Sequence, residues 1–166
     1  MPNQVVLVAV DNSEVSYEVV KNAAKIASAL AASVYLVHVV DQRLAPAIQT
    51  TEAALAKYYL RRFNQLCTEA HVVHTLATVA TGTPTRIITQ LSNLDSVTLT
   101  VVGAIGRDNL SRQATALGHV PQTIATWSTH NTVIIHPEKR AKQPTAVSVV
   151  PIESIVETPA SEAGCA

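Results

Sequence analysis

Thr100-Val101-Val102-Gly103-Ala104-Ile105-Gly106, with Gly118-His119-Val120-Pro121 beginning twelve residues past the second glycine, is the stretch from which the architecture of this chain is read. A β-branched run of strand length ends in a glycine turn, and a further glycine stands where a helix opens. Glycines at such a junction let backbone N–H groups come close to a ligand, because no Cβ stands in the way. The first turn of a helix adds unpaired N–H donors and the positive end of the macrodipole, a combination suited to phosphate. The first ligand class this stretch suggests is therefore a nucleotide.

Working outward, residues 4–136 alternate between short apolar runs and longer patterns of helical period. QVVLVAV at 4–10 and SVYLVHVV at 33–40 are nearly continuous apolar runs, as expected of strands buried on both faces. Between them Val15, Val19, Ala23, Ile26 and Leu30 recur at helical spacing, with Ser13 in place as an N-cap. A loop containing Pro46 leads to a predicted helix over 49–69, on which Leu55, Tyr59, the stem of Arg62 and Leu66 share a face. A strand is predicted over 71–79. Thr83-Pro84 then reads as N-cap and N1 of a short helix that directs Ile87, Ile88 and Leu91 inward. The strand SVTLTVV at 96–102 delivers the chain to the glycines. Pro121 suits N1 of a last helix with Ile124 and Trp127 on its apolar face, and TVIIH at 132–136 closes the series. Five strands alternating with four helices predict a single α/β domain with a doubly wound, five-stranded parallel sheet. Ligands of such sheets bind beyond the carboxyl ends of the strands, where the strand order reverses. Asp11, Val39 to Asp41, and Gly103 to Gly106 stand at those ends.

Composition restricts what the domain can do. The 166 residues are 48% apolar, enough for one domain with a substantial core. Twelve basic residues balance twelve acidic ones and aromatics are only 4%, so neither a phosphate-tracking surface nor a base-stacking platform is visible. Nucleic acid is not an expected partner. The apolar runs fall short of the roughly 18 residues of a membrane span, and the N-terminus has no signal-peptide pattern. With Cys67 and Cys165 far apart, a reduced, cytoplasmic protein is expected. Residues 1–137 are read as the domain. Beyond Pro137, Lys139, Arg140, Lys142, Pro144, Pro151 and Pro159 mark residues 138–166 as a flexible tail, in which the apolar segment Val147 to Ile155 has the alternative of pairing with a sheet edge.

Motifs for catalysis are missing. The chain has no G-x-S-x-G elbow, no H-E-x-x-H and no phosphate loop ending in Gly-Lys-Ser/Thr. His71 and His74 are three apart on a predicted strand and would face opposite ways, while His38 lies inside a buried strand and reads as a hydrogen-bonded core residue. No protein-bound metal is expected. Cys67, on a helix with no second cysteine near it, reads as a packing residue. Arg107 and Arg112, in the loop after Gly106, are candidates to reach phosphates, although loop arginines are usually solvated.

VVLVAVDNSEVS, LVHVVD, TGTPTRII, and VVGAIG followed by LGHVPQTIATWSTHNTVIIH occur in an order that resembles the universal stress protein family, over about residues 4–137. The resemblance implies a five-stranded parallel α/β domain, usually dimeric, some members of which bind ATP or cyclic AMP and others no nucleotide. Nucleotide-binding members share the pattern glycine, two residues, glycine, nine residues, then glycine and serine or threonine. Gly103 and Gly106 match its first half. The second half departs from it: eleven residues separate Gly106 from Gly118, and His119 stands where the hydroxyl is expected. By resemblance Asp11 and Val39 correspond to contacts with ribose and base. Val102, Gly103 and Gly106 correspond to the ribose-side turn, and Gly118, His119 and Val120 to the phosphate site. Val120-Pro121 is also similar to the cyclic AMP-binding branch. The implied function is a stress-response or regulatory protein that binds ATP, AMP or cyclic AMP weakly or conditionally, as a homodimer with a regulatory protein partner of unknown identity. The alternatives are a nucleotide-free dimeric interaction module and, further off, a small hydrolase or nucleotidyl-transfer enzyme. Slow nucleotide hydrolysis is the most catalysis the pattern admits.

Overall fold

Val5–Ala9 (β1) holds Val6, Leu7 and Val8 at zero exposure, since it lies in the middle of the sheet with a strand on each side and helices on both faces. The computed structural model describes residues 4–105 and 117–137. After β1 come α1 (Glu14–Ala29), β2 (Ser33–Asp41), α2 (Pro46–Glu69), β3 (Thr75–Gly82), α3 (Pro84–Ser92), β4 (Val97–Gly103), α4 (His119–Trp127) and β5 (Asn131–Ile135). Every strand pairing is parallel, and the order across the sheet is β3-β2-β1-β4-β5. The chain therefore winds outward from β1 in one direction through β2 and β3, then returns to the other side for β4 and β5. The predicted fold class is the observed one.

Two cores result, one on each face of the sheet. On one face the long helices α1 and α2 cover Val6, Val8, Val34, Leu36 and Val101. Small side chains on α1, namely Ser16, Ala23, Ala24 and Ala27, are all buried and let the helix lie close to the strands. On the other face the shorter α3 and α4 bury Leu7, Val37 and Val102 under Ile88 and Ile124. Both ends of α4 are tied down. The N–H of Gly118 donates to the carbonyl of Ala104 at 2.8 Å. At the far end the Asn93 amide donates to the Trp127 carbonyl and accepts from the Thr129 N–H at 2.8 Å.

Several boundaries differ from the sequence reading, each for a local reason. Helix α2 begins at Pro46, which fills N1 instead of lying in the loop. Its buried residues are Ala56, Tyr59, Leu60, Phe63 and Cys67, so Leu55, at 39% exposed, is not on the inner face. The third strand starts at Thr75, not at 71, because the turn that ends α2 occupies the intervening residues. His71 and His74 thus precede the strand. In α4, Pro121 is the third helical residue and not the first, and Trp127 is 67% exposed. Leu30 is the C-cap of α1 and half exposed. Ser13 and Thr83 occupy the N-cap positions, but neither uses its side chain to cap. The expected tail, residues 138–166, lies outside the described residues.

The turns after α1 and α2 share one geometry. Ala32 N–H donates to the Ala27 carbonyl and Ala31 N–H to that of Ser28, and Val72 and His71 repeat the pattern on Cys67 and Thr68. This is the Schellman closure, which puts its C′ residue in the left-handed region and is usually made with glycine. Here Ala31 (φ 51°) and His71 (φ 59°) take that conformation. A residue with a Cβ is strained there by about 1–2 kcal/mol. Ala31→Gly should consequently raise the stability by about 0.5–1 kcal/mol, once the greater freedom of the unfolded chain offsets part of the relief. Urea denaturation checks this, and a loss of stability would contradict the assigned turn.

Candidate functional site

The switch in strand order lies between β1 and β4, and a cleft of about 330 Å³ opens beyond their carboxyl ends. That volume is at the lower end of the usual small-molecule range. Among the residues singled out in the sequence, Asp11, Val39, Val102, Gly103, Gly118, His119 and Val120 all line it. Gly106, Arg107 and Arg112 lie outside the described residues. The floor is apolar, with Val39, Ile88 and Val102 each buried. The start of α4 forms one rim and the start of α1 another. A second hollow of about 340 Å³, between α1 and α2 and lined by Tyr17, Phe63 and Leu66, contains none of the predicted site residues.

Asp11 is fixed in the cleft wall by three hydrogen bonds. Its Oδ1 accepts from the Ser13 N–H at 3.1 Å and from the Ser16 hydroxyl at 2.9 Å, and its own N–H donates to Ser16 Oγ at 2.9 Å. Just before it, the carbonyl of Val10 accepts from His38 Nδ1 at 3.0 Å. Because a carbonyl can only accept, Nδ1 carries the proton in this contact, and the adjacent Tyr59 hydroxyl oxygen shares it. His38 is 7% exposed and is thus the hydrogen-bonded core residue expected of it, while it also lines the cleft.

Asp41 and Glu52 bring further carboxylates to the same cleft. Arg43 Nε meets both oxygens of Asp41 at 3.0 and 3.1 Å, and the Arg43 N–H adds a bond at 2.9 Å. The side-chain bond, then the backbone bond, hold this carboxyl below the usual carboxylate range against a smaller opposing effect of burial. At the other rim, His119 is exposed and is the first residue of α4. The N–H groups of His119 and Val120 have no acceptor within the helix, and Pro121 after them has no N–H. This end of the cleft therefore offers two backbone donors and an imidazole.

Gly103 has a packing role in addition to its place in the cleft. None of the described glycines has positive φ. A Cβ on Gly103 would meet Val15 Cγ1 at 3.2 Å and Val19 Cγ2 at 3.4 Å, so its lack of a side chain lets α1 pack against the end of β4. A Cβ on Gly118 would make only ordinary contacts, with the Ala104 carbonyl at 3.4 Å and the Pro121 ring. Burial pushes the Cys67 thiol up in pKa, against a smaller opposing hydrogen bond from Thr75, as befits a packing residue and not a nucleophile. Among the described residues there is no group of three or more metal-ligating side chains, and no helix is long and apolar enough to cross a membrane. Sequence reasoning passed over Ser16 and Glu52. The spacing of Asp11 and Ser16 across a helix start was the available signal for the serine.

A parallel sheet of this order, with a cleft at its switch point, defines a doubly wound α/β protein. The universal stress protein family model matches residues 2–136, and the chain belongs to that family. Among solved structures, universal stress protein UspA from Lactobacillus plantarum superposes with a TM-score of 0.73 at 23% identity, over 81% of this chain and 99% of that one. A universal stress protein in complex with cAMP gives 0.65 at 23% identity, over 82% and 99%. The universal stress protein from Archaeoglobus fulgidus in complex with dAMP gives 0.63 at 17% identity, over 81% and 98%. Identities this low speak for the shared fold. No curated protein matches the sequence.

The contacts around the two glycines predict different outcomes on substitution. Gly103→Ala should cost about 1–3 kcal/mol in urea denaturation, because Val15 must move. Gly118→Ala should stay within about 1 kcal/mol of the wild type. The reverse order would contradict the packing of α1 on β4.

Proposed function

We propose that this protein binds an adenine nucleotide, weakly or conditionally, in the cleft at the β1–β4 switch point, and serves as a regulatory protein of the stress response rather than as a catalyst. The observation that supports this reading most is convergence. Asp11 and Val39, and with them Gly118 and His119, come from separate parts of the chain and line one cleft of about 330 Å³. Their chemistry suits the parts of a nucleotide. Backbone groups at the end of β2 pair with the edge of a base, a carboxylate accepts from ribose hydroxyls, and helix-start N–H groups receive phosphate. Two solved relatives of the same fold are complexes with cAMP and dAMP, which supports an adenine ligand here as well. Which of ATP, AMP and cyclic AMP is preferred depends on the phosphate end, where His119 replaces the family hydroxyl.

A hydrogen bond to a charged group contributes about 1.5–3 kcal/mol, so the missing hydroxyl corresponds to tenfold or more in affinity. His119→Ser restores that hydroxyl and should bind the nucleotide about tenfold more tightly than wild type. Calorimetric titration of ATP, AMP and cyclic AMP into both proteins measures this. Absence of binding throughout would favour the nucleotide-free interaction module.

The reading includes a cytoplasmic homodimer formed through β5. This strand lies at the sheet edge and leaves Val133, Ile134 and Ile135 incompletely buried. Exposed edges of this kind are association sites. The carbonyl of Ile135 accepts from the Ala104 N–H on the β4 side, so by strand alternation Thr132 and Ile134 turn their backbone groups outward. Thr132→Pro removes one outward N–H in a position where edge strands tolerate proline. Light scattering at micromolar concentration should give a dimer for wild type and a monomer with unchanged far-ultraviolet circular dichroism for Thr132→Pro. A monomeric wild type would contradict the dimer.

A further inference from the structure

Ser16 makes one closed circuit with Asp11. The Asp11 N–H donates to Ser16 Oγ, and the single hydroxyl proton of Ser16 goes on to Asp11 Oδ1, both at 2.9 Å. The same oxygen accepts the Ser13 N–H at 3.1 Å. The backbone before Asp11 is already fixed, because the Val10 N–H donates to the Val37 carbonyl and the Val10 carbonyl accepts from His38 Nδ1. What remains variable is rotation of the Asp11 side chain itself. Two donors converging on Oδ1 remove that freedom, and they set the plane of the carboxylate and the direction of its second oxygen. Ser16 is 4% exposed, so water cannot readily replace it in the circuit. Yet it also lines the cleft, next to the carboxylate it holds.

We propose that Ser16 is a positioning residue: by orienting Asp11, it sets how strongly the cleft prefers a ribonucleotide over a nucleotide lacking the ribose hydroxyls. The inference rests on the reading of the cleft as a nucleotide site with Asp11 at the ribose. A serine in the first turn of a helix could instead serve only the helix start. That role would change stability, and it would weaken all ligands of the cleft alike. A positioning role affects only the ligand that uses Asp11.

The experiment compares AMP with 2′,3′-dideoxy-AMP in calorimetric titrations of wild type, Ser16→Ala, Asp11→Ala and the double variant. Ser16→Ala should lose about tenfold in AMP affinity, the size expected for a misdirected charged acceptor, and remain within about twofold for the dideoxynucleotide. In the Asp11→Ala background, Ser16→Ala should have no further effect on the preference. Equal weakening of both nucleotides by Ser16→Ala, or an unchanged preference, would overturn the proposal. If wild type binds both nucleotides equally, the nucleotide reading stands and this inference fails. If it binds neither, both fall. A readout without ligand is the hydrogen exchange of the Asp11 amide, which should accelerate in Ser16→Ala, and an unchanged rate would equally overturn the assignment.

Discussion

Parallel pairing of β1 with β4 is the constraint on which the rest of this structure depends. Val6 lies against Leu99, Leu7 against Thr100 and Val8 against Val101, although more than ninety residues of chain separate the partners. With β4 beside β1, α1 and α4 lie on opposite faces of the sheet and their starts both border the switch point. The gap between them is the cleft. The absence of a side chain at Gly103 lets α1 lie close to the end of β4, since a Cβ there would meet Val15 at 3.2 Å. Had β4 paired elsewhere, Asp11 and Gly118 would share no cavity.

The cleft divides its chemistry along its length. Carboxylates gather toward the ends of β1 and β2, where Asp11 is engaged by Ser13 and Ser16, and Asp41 by Arg43. At the start of α4 the available groups are donors, the N–H groups of His119 and Val120 and the His119 ring. An anionic group is favoured at the second end and an uncharged hydroxyl-bearing one at the first. The apolar floor of Val39, Ile88 and Val102 joins the two ends.

Much of this arrangement was legible in the amino-acid sequence, because strands buried on both faces read as unbroken Val-rich runs and prolines mark helix starts. VVLVA of β1 and the run before Gly103 leave little room for another assignment. Strand order and the cleft residues followed from family resemblance and topology more than from local pattern. What was illegible has specific causes. Ala31 and His71 close their helices in a conformation normally made by glycine, so the sequence does not announce where α2 stops or where β3 begins. The inner face of α2 uses Ala56 and Cys67, small residues that a search for large apolar side chains passes over in favour of Leu55. At Gly103 the sequence suggested room for a ligand, and the packing of α1 against it had no local signal. Ser16 was signalled only by its spacing from Asp11, because a serine near a helix start is ordinary until its partner is seen.

The central claim, that one cleft at the β1–β4 switch point is where an adenine nucleotide binds, is tested most directly by following backbone amide chemical shifts while AMP is added. The account predicts saturable shifts at Asp11, Val39, Gly103, Gly118 and His119, with the hollow between α1 and α2 at Tyr17 and Phe63 unaffected. Shifts centred on Tyr17 and Phe63, or none anywhere at millimolar nucleotide, would contradict it.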